Sequence, residues 1–110
     1  MKSYKRGDVH WVNFDPSVGT EIQKIRPAVI VSNNVGNRDS TRLIVAPITS
    51  KVKVVFAFEV KTKINKTECK ILLDQIRATD KSRVCDLICT LDSEEMKLVD
   101  KALKIALGLA

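Results

Sequence analysis

One arginine stands where a polar stretch of the chain meets a short apolar run. Arg26 is followed by Pro27, whose ring fixes its own φ and drives the preceding residue toward extended backbone, and then by the apolar residues 28–31. An arginine held in this way at a strand entrance can present its guanidinium group to an anion. The residues leave an alternative open, in which Arg26 forms an ion pair with Asp15 or Glu21 and holds the loop in place.

Two neighbouring hydroxyl side chains follow a second apolar run. Thr49 and Ser50 come soon after residues 43–47, and such a pair most often forms a turn or a cap. If the two apolar runs are neighbouring antiparallel strands, the start of one lies beside the end of the other. Arg26 would then meet Thr49 at one end of a sheet, with residues 19–21 nearby. A fixed cation beside hydroxyl groups is suited to binding an anion.

Short predicted strands position these residues. Several apolar or alternating runs are bounded by turn signals and polar stretches, which indicates a small antiparallel barrel or sandwich. Pro47 has no N–H group to donate and is therefore expected on an edge strand or at a strand end. The polar residues 33–40 and 61–67 are expected to be connections. The predicted strands are 9–14, 27–32, 43–47, 52–60 and 69–73.

The spacing of apolar residues changes over the last twenty residues. Asp92 is suited to an N-cap, and Glu95 places a carboxylate at the third helical position. Apolar residues then recur at steps of three and four, which predicts a helix with one apolar stripe that ends near Gly108. We expect this helix to pack on the sheet.

The chain is long enough for one domain with a single core, which we expect over residues 1–110. Its 19 basic and 13 acidic side chains give a formal charge of +6, enough to attract a polyanion, although scattered lysines between 51 and 70 are also typical of solvated hairpins. No apolar stretch approaches the roughly 20 residues that span a bilayer, and the charged start is unlike a signal peptide. We therefore expect a soluble, cytoplasmic protein.

The cysteines and the histidine do not indicate a metal centre. Cys69, Cys85 and Cys89 form an odd set, which favours reduced and mostly packed thiols over a disulfide framework. Because His10 is the only histidine, a four-ligand structural zinc site would need an unusual number of carboxylates. We expect neither a metal nor another cofactor.

Six short motifs, in this order and at this spacing, resemble the MazF/PemK/Kid family of bacterial toxin ribonucleases. The resemblance extends over nearly the whole chain and implies a mainly β fold: a small SH3-like antiparallel β-barrel with a C-terminal helix, working as a homodimer. It also implies a metal-independent endoribonuclease that cleaves single-stranded mRNA at short sequences and is inhibited by a cognate antitoxin. The motifs are Gly7-Asp8-Val9 with Trp11-Val12, Asp15-Pro16, Gly19-Thr20-Glu21, Arg26-Pro27-Ala28-Val29-Ile30-Val31, Ala46-Pro47-Ile48-Thr49-Ser50 and Leu73-Asp74-Gln75-Ile76-Arg77.

The resemblance assigns roles to particular residues. The family's catalytic arginine and threonine match Arg26 and Thr49, and residues that approach the RNA match Thr20 and Glu21. A further substrate contact matches Gln75. Two departures accompany these matches. Thr20 stands where some relatives have a histidine. Asp74 matches an aspartate that some relatives use with an arginine, but Ile71 and Leu72 stand where that arginine would be sought.

Metal-free RNA cleavage requires a base, a proton for the leaving oxygen, and stabilisation of an anionic phosphorane. We assign Arg26 to the third task, because its planar guanidinium matches two phosphoryl oxygens. Thr49 can bond a phosphate oxygen or orient the attacking hydroxyl, and Ser50 can substitute in part. Glu21 is the best proton acceptor by chemical type, although it could instead pair with Lys24 or Arg26. The expected products are a 2′,3′-cyclic phosphate and a 5′-hydroxyl.

Base recognition is expected from polar loop residues. Trp11, Phe14, Phe56 and Phe58 occur in strand patterns and are expected in the core rather than as stacking platforms. The loop Gly19-Thr20-Glu21 is expected to approach the RNA, and base edges are assigned to Thr20, Glu21, Asn37 and Gln75.

Two other functions fit parts of the sequence. One is a toxin that binds DNA gyrase without cleaving RNA, as CcdB does on a related fold, and it would not need Arg26 beside Thr49. The other is a simple nucleic-acid-binding barrel, for which the basic charge suffices. An acidic antitoxin segment that folds onto the positively charged site is the expected partner of the nuclease.

Overall fold

The computed structural model describes residues 3–14 and 25–110. These ranges contain seven strands, two α-helices and two short 3₁₀ turns at Leu73–Gln75 and Lys81–Arg83. The strands are β1 (Asp8–Asn13), β2 (Ile25–Ile30), β3 (Arg42–Thr49), β4 (Glu59–Ile64), β5 (Thr67–Leu72), β6 (Arg77–Asp80) and β7 (Val84–Thr90). The helices are α1 (Asn34–Asp39) and α2 (Ser93–Leu107). The predicted mainly antiparallel β fold with a C-terminal helix is confirmed.

The strands form one antiparallel sheet in the order β4-β5-β3-β2-β1-β7, and β6 also pairs with β3. β3 is therefore a central strand, so of the two positions expected for Pro47 the edge strand is wrong, while Pro47 does lie near the end of β3, two residues before Thr49. Pairing with β6 ends at Val45 and pairing with β5 begins at Ile48. Pro47 thus lies where β3 changes partners along one side, a position at which a missing N–H group costs little.

Two apolar clusters lie on opposite faces of the sheet, because alternate residues of a strand point to opposite sides. α2 covers the first cluster with its buried residues Val99 and Ala102. The second cluster lies on the other face and consists of Val12, Ala28, Ile30, Leu43, Val45 and Val84. The helix therefore packs on one face of the sheet, whereas Tyr4 and Phe14 pack against the cluster on the other face.

The boundaries of α2 confirm the sequence prediction. The Asp92 carboxylate accepts a hydrogen bond from the Glu95 N–H at 2.8 Å, and the Glu95 carboxylate accepts one from the Asp92 N–H at 3.1 Å. This reciprocal capping box fixes the first turn. The helix ends at Gly108, whose φ of 70° is easily reached without a β-carbon. None of the helices in the described ranges is long and apolar enough to cross a membrane.

The hairpin after β3 differs from the prediction. Residues 51–58 form a connection rather than a strand, and residues 61–64, expected to be a connection, continue β4. The turn itself consists only of Asn65 and Lys66, with φ values of 50° and 67°. Two successive positive φ angles are typical of a tight two-residue hairpin turn. Lys61 and Lys63 are exposed and alternate with the buried residues Val60 and Ile64, because one face of this hairpin is exposed.

Three further elements were not predicted. α1 begins after Asn33, whose side chain accepts a hydrogen bond from the Gly36 N–H, and it occupies part of the stretch 33–40. β6 and β7 lack long apolar runs, and most of the residues in both strands are not buried. Strands with so little buried surface give a weak sequence signal.

Candidate active site

Arg26 and Thr49 meet at one end of the sheet. β2 and β3 pair Ile30 with Val45, Val29 with Ala46, and Ala28 with Pro47. Two residues further along, the same register places Arg26 opposite Thr49. Both residues line one pocket of about 470 Å³. The predicted convergence is therefore found, and it follows from the antiparallel pairing of the two strands.

Arg26 is the second residue of β2, and it is exposed. It lies on the same face as Ala28 and Ile30, at the end of the second apolar cluster. Within residues 3–14 and 25–110, no carboxylate forms an ion pair with Arg26. Asp15 and Glu21, the considered partners, lie outside the described residues. The guanidinium group is thus available at the surface of the described structure.

Thr49 is held by its own turn. Its Oγ1 accepts a hydrogen bond of 3.2 Å from the Lys51 N–H, an arrangement typical of a threonine that begins a turn. Because the oxygen accepts this bond, the hydroxyl proton remains available to a ligand. Ser50 and Lys51 are exposed and line the same pocket. Thr49, Ser50 and Lys51 therefore line this pocket together with Arg26.

Lys70 lies directly across from Thr49 on β5, but its charge is used within the fold. Its Nζ donates to a Glu59 carboxylate oxygen at 2.8 Å and to the Val54 carbonyl oxygen at 2.6 Å. It also lies 5.9 Å from the centre of the Phe56 ring. These contacts attach residues 51–58 to the sheet beside Thr49. The interpretation of Lys70 as a solvated lysine is wrong.

Glu59 balances the buried charge of Lys70. Burial alone would raise the pKa of the Glu59 carboxyl, but the hydrogen bonds from Lys70 and from the Phe56 N–H outweigh burial and lower it. The two side chains are only 11% and 7% exposed. A paired carboxylate of this kind is ionised at neutral pH and serves the structure.

The pocket beside Arg26 and Thr49 has an apolar floor. Trp11 belongs to it and is 43% exposed. The expectation that Trp11 lies in the core is therefore wrong, because β1 turns this residue to the outside. Phe56 is also exposed, and its ring stacks on Phe58 at 5.3 Å. The other apolar residues of the pocket are Pro27, Ile48, Ile64, Cys69 and Ile88, and its remaining polar residues are Asn65 and Thr67.

A second cleft of about 440 Å³ lies on the other side of Arg26. Gln75, at the end of the first 3₁₀ turn, lines it and is exposed, so the structure brings this predicted contact residue beside Arg26. Phe14 and Arg77 also line the cleft, and neither was predicted as a site residue. The remaining lining residues are Pro47, Ile48 and Leu72.

Asn37 does not belong to the site. Its side chain is only 1% exposed, and its Nδ2 donates to the Ser32 carbonyl oxygen at 2.9 Å. Its Oδ1 accepts a hydrogen bond from the Ser32 hydroxyl. Since these contacts occupy the amide, the assignment of Asn37 to base recognition is corrected to a structural role in α1. Gly19, Thr20 and Glu21 lie outside the described residues.

The remaining titratable side chains among the described residues form no candidate metal centre. In the part of the chain that the structure describes, no group of three or more His, Cys, Asp and Glu side chains is placed to hold a metal ion. Burial raises the pKa of the Cys69 and Cys89 thiols, so both stay protonated at neutral pH. Cys69 is buried, Cys89 is half-buried and Cys85 is exposed, in keeping with the expectation of mostly packed thiols.

The site as a whole is an exposed guanidinium that lines two clefts and a hydroxyl that lines one of them, on a protein of formal charge +6. These features are those of a small β-sheet protein whose surface is suited to an extended anionic ligand.

Relatives and solved structures agree with this class. PemK-like, MazF-like toxins of type II toxin-antitoxin systems match over residues 5–107. Endoribonuclease EndoA of Bacillus subtilis is 43% identical over 110 residues, which cover 96% of this chain and 95% of that protein. The chain therefore belongs to the PemK-like, MazF-like family of toxins.

Two solved structures share the fold. A MazE-MazF crystal structure from Deinococcus radiodurans has a TM-score of 0.85 at 25% identity and covers 100% of both chains. An endoribonuclease in complex with its cognate antitoxin, from a mycobacterial species, has a TM-score of 0.81 at 24% identity and covers 98% of both chains.

Proposed function

We propose that this protein is the toxin of a type II toxin-antitoxin system and acts as an endoribonuclease, an mRNA interferase. It cleaves single-stranded mRNA at a specific sequence, without a metal ion, and thereby stops translation and growth. The observation that supports the proposal most directly is that Arg26 and Thr49 line one pocket at the end of the sheet. The family membership and the 43% identity to an endoribonuclease support the same activity.

In the proposed reaction the 2′-hydroxyl of one nucleotide attacks its own 3′-phosphate. A bond forms between O2′ and phosphorus, and the bond between phosphorus and O5′ breaks. The products are a 2′,3′-cyclic phosphate and a 5′-hydroxyl, so the 2′-hydroxyl loses a proton and the leaving O5′ gains one. The transition state is a crowded phosphorane that carries extra negative charge.

Arg26 stabilises that charge. Its guanidinium can donate two parallel hydrogen bonds to the phosphoryl oxygens, and it carries its positive charge before the substrate binds. A guanidinium group is a poor general base, because it has no acceptor for a proton. Thr49 donates its hydroxyl proton to a phosphoryl oxygen or orients the 2′-hydroxyl, and Ser50 supports it. Glu21 is the proposed proton acceptor.

The two clefts on either side of Arg26 accommodate the nucleotides that flank the cleaved phosphate. Gln75 lines one of them, and its side-chain amide offers both donors and an acceptor to a base edge. Gly19, Thr20 and Glu21 complete the RNA contacts in this proposal. Unpaired bases are required because pairing in an RNA helix occupies the Watson–Crick edges that such contacts read.

The partners follow from the same site. The proposed antitoxin places an acidic segment over Arg26, where it excludes RNA and gains from the +6 charge of the toxin. We further propose that the toxin is a homodimer in the cytoplasm, where mRNA is translated. Co-expression of the neighbouring small open reading frame should restore growth, and failure of that rescue would contradict this pairing.

The activity is tested with purified protein, unstructured RNA and a metal chelator. We expect cleavage in chelator, with 2′,3′-cyclic phosphate ends found by end mapping, and its loss in Arg26→Ala and Thr49→Ala. Arg42→Ala is the matched control, since Arg42 lies at the opposite end of β3 and outside both clefts. Intact RNA together with arrested DNA gyrase would overturn the proposal in favour of a gyrase-binding toxin.

A further inference from the structure

The second cleft contains a cation stacked on an aromatic ring. The guanidinium carbon of Arg77 lies 5.3 Å from the centre of the Phe14 ring, within the range of a cation–π contact. Both residues line the cleft that also contains Arg26 and Gln75. The pair is therefore adjacent to the position at which the cleaved phosphate is proposed to bind.

The sheet fixes both members of this pair. Phe14 follows β1 directly and packs against the second apolar cluster, which leaves its ring half-buried. Arg77 begins β6 and pairs with Val45, a member of that same cluster. The apolar cluster supports one side of the Phe14 ring, and the Arg77 guanidinium lies over the ring. Arg77 is exposed and lines the cleft, so its guanidinium group is accessible there.

A supported guanidinium plane is a surface on which a nucleobase can stack. Unpaired bases in protein–RNA complexes stack on aromatic rings and on arginine planes, and such stacking tolerates different bases. The positive charge adds attraction to the neighbouring phosphate. Gln75, at the same cleft, presents an amide that can distinguish base edges.

We infer that Phe14 and Arg77 form a stacking platform for one unpaired base of the substrate RNA, adjacent to the phosphate bound by Arg26, with Gln75 at the base edge. This inference rests on the proposed ribonuclease function and adds a base-binding site to it. Phe14 positions Arg77, and Arg77 contacts the base. The platform supplies affinity for a base at one position, while Gln75 supplies the preference among bases.

The test combines protein variants with RNAs that carry one abasic nucleotide at each position around the cleavage site. In the wild-type protein, loss of the stacked base should lower kcat/KM about tenfold at one position. Phe14→Leu and Arg77→Ala should each lower kcat/KM on the intact RNA by a similar factor. On the RNA that lacks the stacked base, these variants and the wild type should be equal.

Lys81→Ala is the matched control. Lys81 lies 5.6 Å from the Tyr4 ring, so this variant also removes one positive charge and one cation–ring contact, but outside both clefts. It should keep the full abasic penalty. Thermal unfolding of every variant shows whether Phe14→Leu only loosens the fold, since a purely structural role would lower activity equally on all of the RNAs.

The outcomes separate the two proposals. Arg26-dependent cleavage with an unchanged abasic penalty in Phe14→Leu and Arg77→Ala would overturn the platform and leave the ribonuclease function standing. Binding of the same RNAs, with a 2′-deoxy sugar at the cleaved nucleotide, is measured in parallel. Absence of cleavage with a position-specific binding penalty that Arg77→Ala removes would contradict the ribonuclease and support the platform.

Discussion

Two cations lie on either side of Thr49 in one row across the sheet, and they differ in exposure and in pairing. Arg26 lies on the β2 side, exposed and without an ion-pair partner among the described residues. Lys70 lies on the β5 side, almost buried and bonded to Glu59. A charge that stabilises a reaction must be fixed but uncommitted, whereas a buried charge must be neutralised by its neighbours. The residue type and strand position do not distinguish these roles; the neighbours do.

The largest expected effect comes from removing the exposed cation. Arg26→Ala should lower kcat by about 10³-fold, or ~4 kcal/mol of transition-state stabilisation. Its free energy of unfolding should change by less than about 0.5 kcal/mol, since an exposed side chain is lost. RNA cleavage kinetics and urea unfolding measure the two quantities. A large loss of stability would show that Arg26 has a structural role like that of Lys70.

Removing the buried cation should mainly lower the stability of the fold. Lys70→Met leaves the Glu59 carboxylate without its partner and should lower the free energy of unfolding by ~3 kcal/mol. Lys61→Met is the control, because Lys61 is the next residue in the row and its side chain is 52% exposed. It should change stability by less than about 0.5 kcal/mol. Equal effects of the two variants in urea unfolding would contradict the assigned role of Lys70.

Acid should weaken the buried pair selectively. The pKa of Glu59 is lower in the folded protein than in the unfolded chain. Its contribution is therefore fully present above the unfolded pKa of about 4.3 and is lost as pH falls through the lower folded pKa. We expect the free energy of unfolding to fall progressively as the pH is lowered below about 5.

A double variant isolates this contribution. Lys70→Met with Glu59→Gln removes the pair but keeps Asp39 and Asp80, whose pKa values are also lowered by hydrogen bonds. Its stability should fall less steeply over the same pH range in urea unfolding. An identical slope in the wild type and the double variant would show that Glu59 does not contribute to acid unfolding.

The smallest expected effect lies on the opposite face of the sheet. Asp92→Ala removes the N-cap of α2 and should lower the free energy of unfolding by about 1 kcal/mol. Cleavage by the folded variant should stay unchanged, because no residue of α2 lines either cleft beside Arg26. Asp92→Asn, which can still cap the helix, should restore most of the stability in thermal unfolding. A loss of cleavage would show that the two faces are coupled.

The parts that sequence predicted correctly depend on short-range rules. The bounds of α2 follow from Asp92, Glu95 and Gly108, because caps are formed within a single turn. The meeting of Arg26 with Thr49 follows from one assumption, that two consecutive apolar strands pair antiparallel. Once the strands pair, the backbone geometry determines which ends lie together.

The parts that failed depend on distant neighbours. Trp11 has the composition of a core residue, but no element covers it in the described structure, and it borders a pocket instead. Asn37 has the chemistry of a base reader, but Ser32 takes up its amide. The Phe14–Arg77 pair joins residues 63 positions apart along the chain, and no local pattern indicates such a contact.

The sequence by itself determined the fold class, the C-terminal helix, the residues that can stabilise an anion and the family to which the chain is similar. These properties depend on residue type, order and spacing. Only the tertiary structure decided that Arg26 lies exposed between two clefts, that Lys70 is neutralised by Glu59, and that Phe14 supports Arg77. Burial and pairing set the chemistry of a side chain, and both are determined by residues that become neighbours only when the sheet forms.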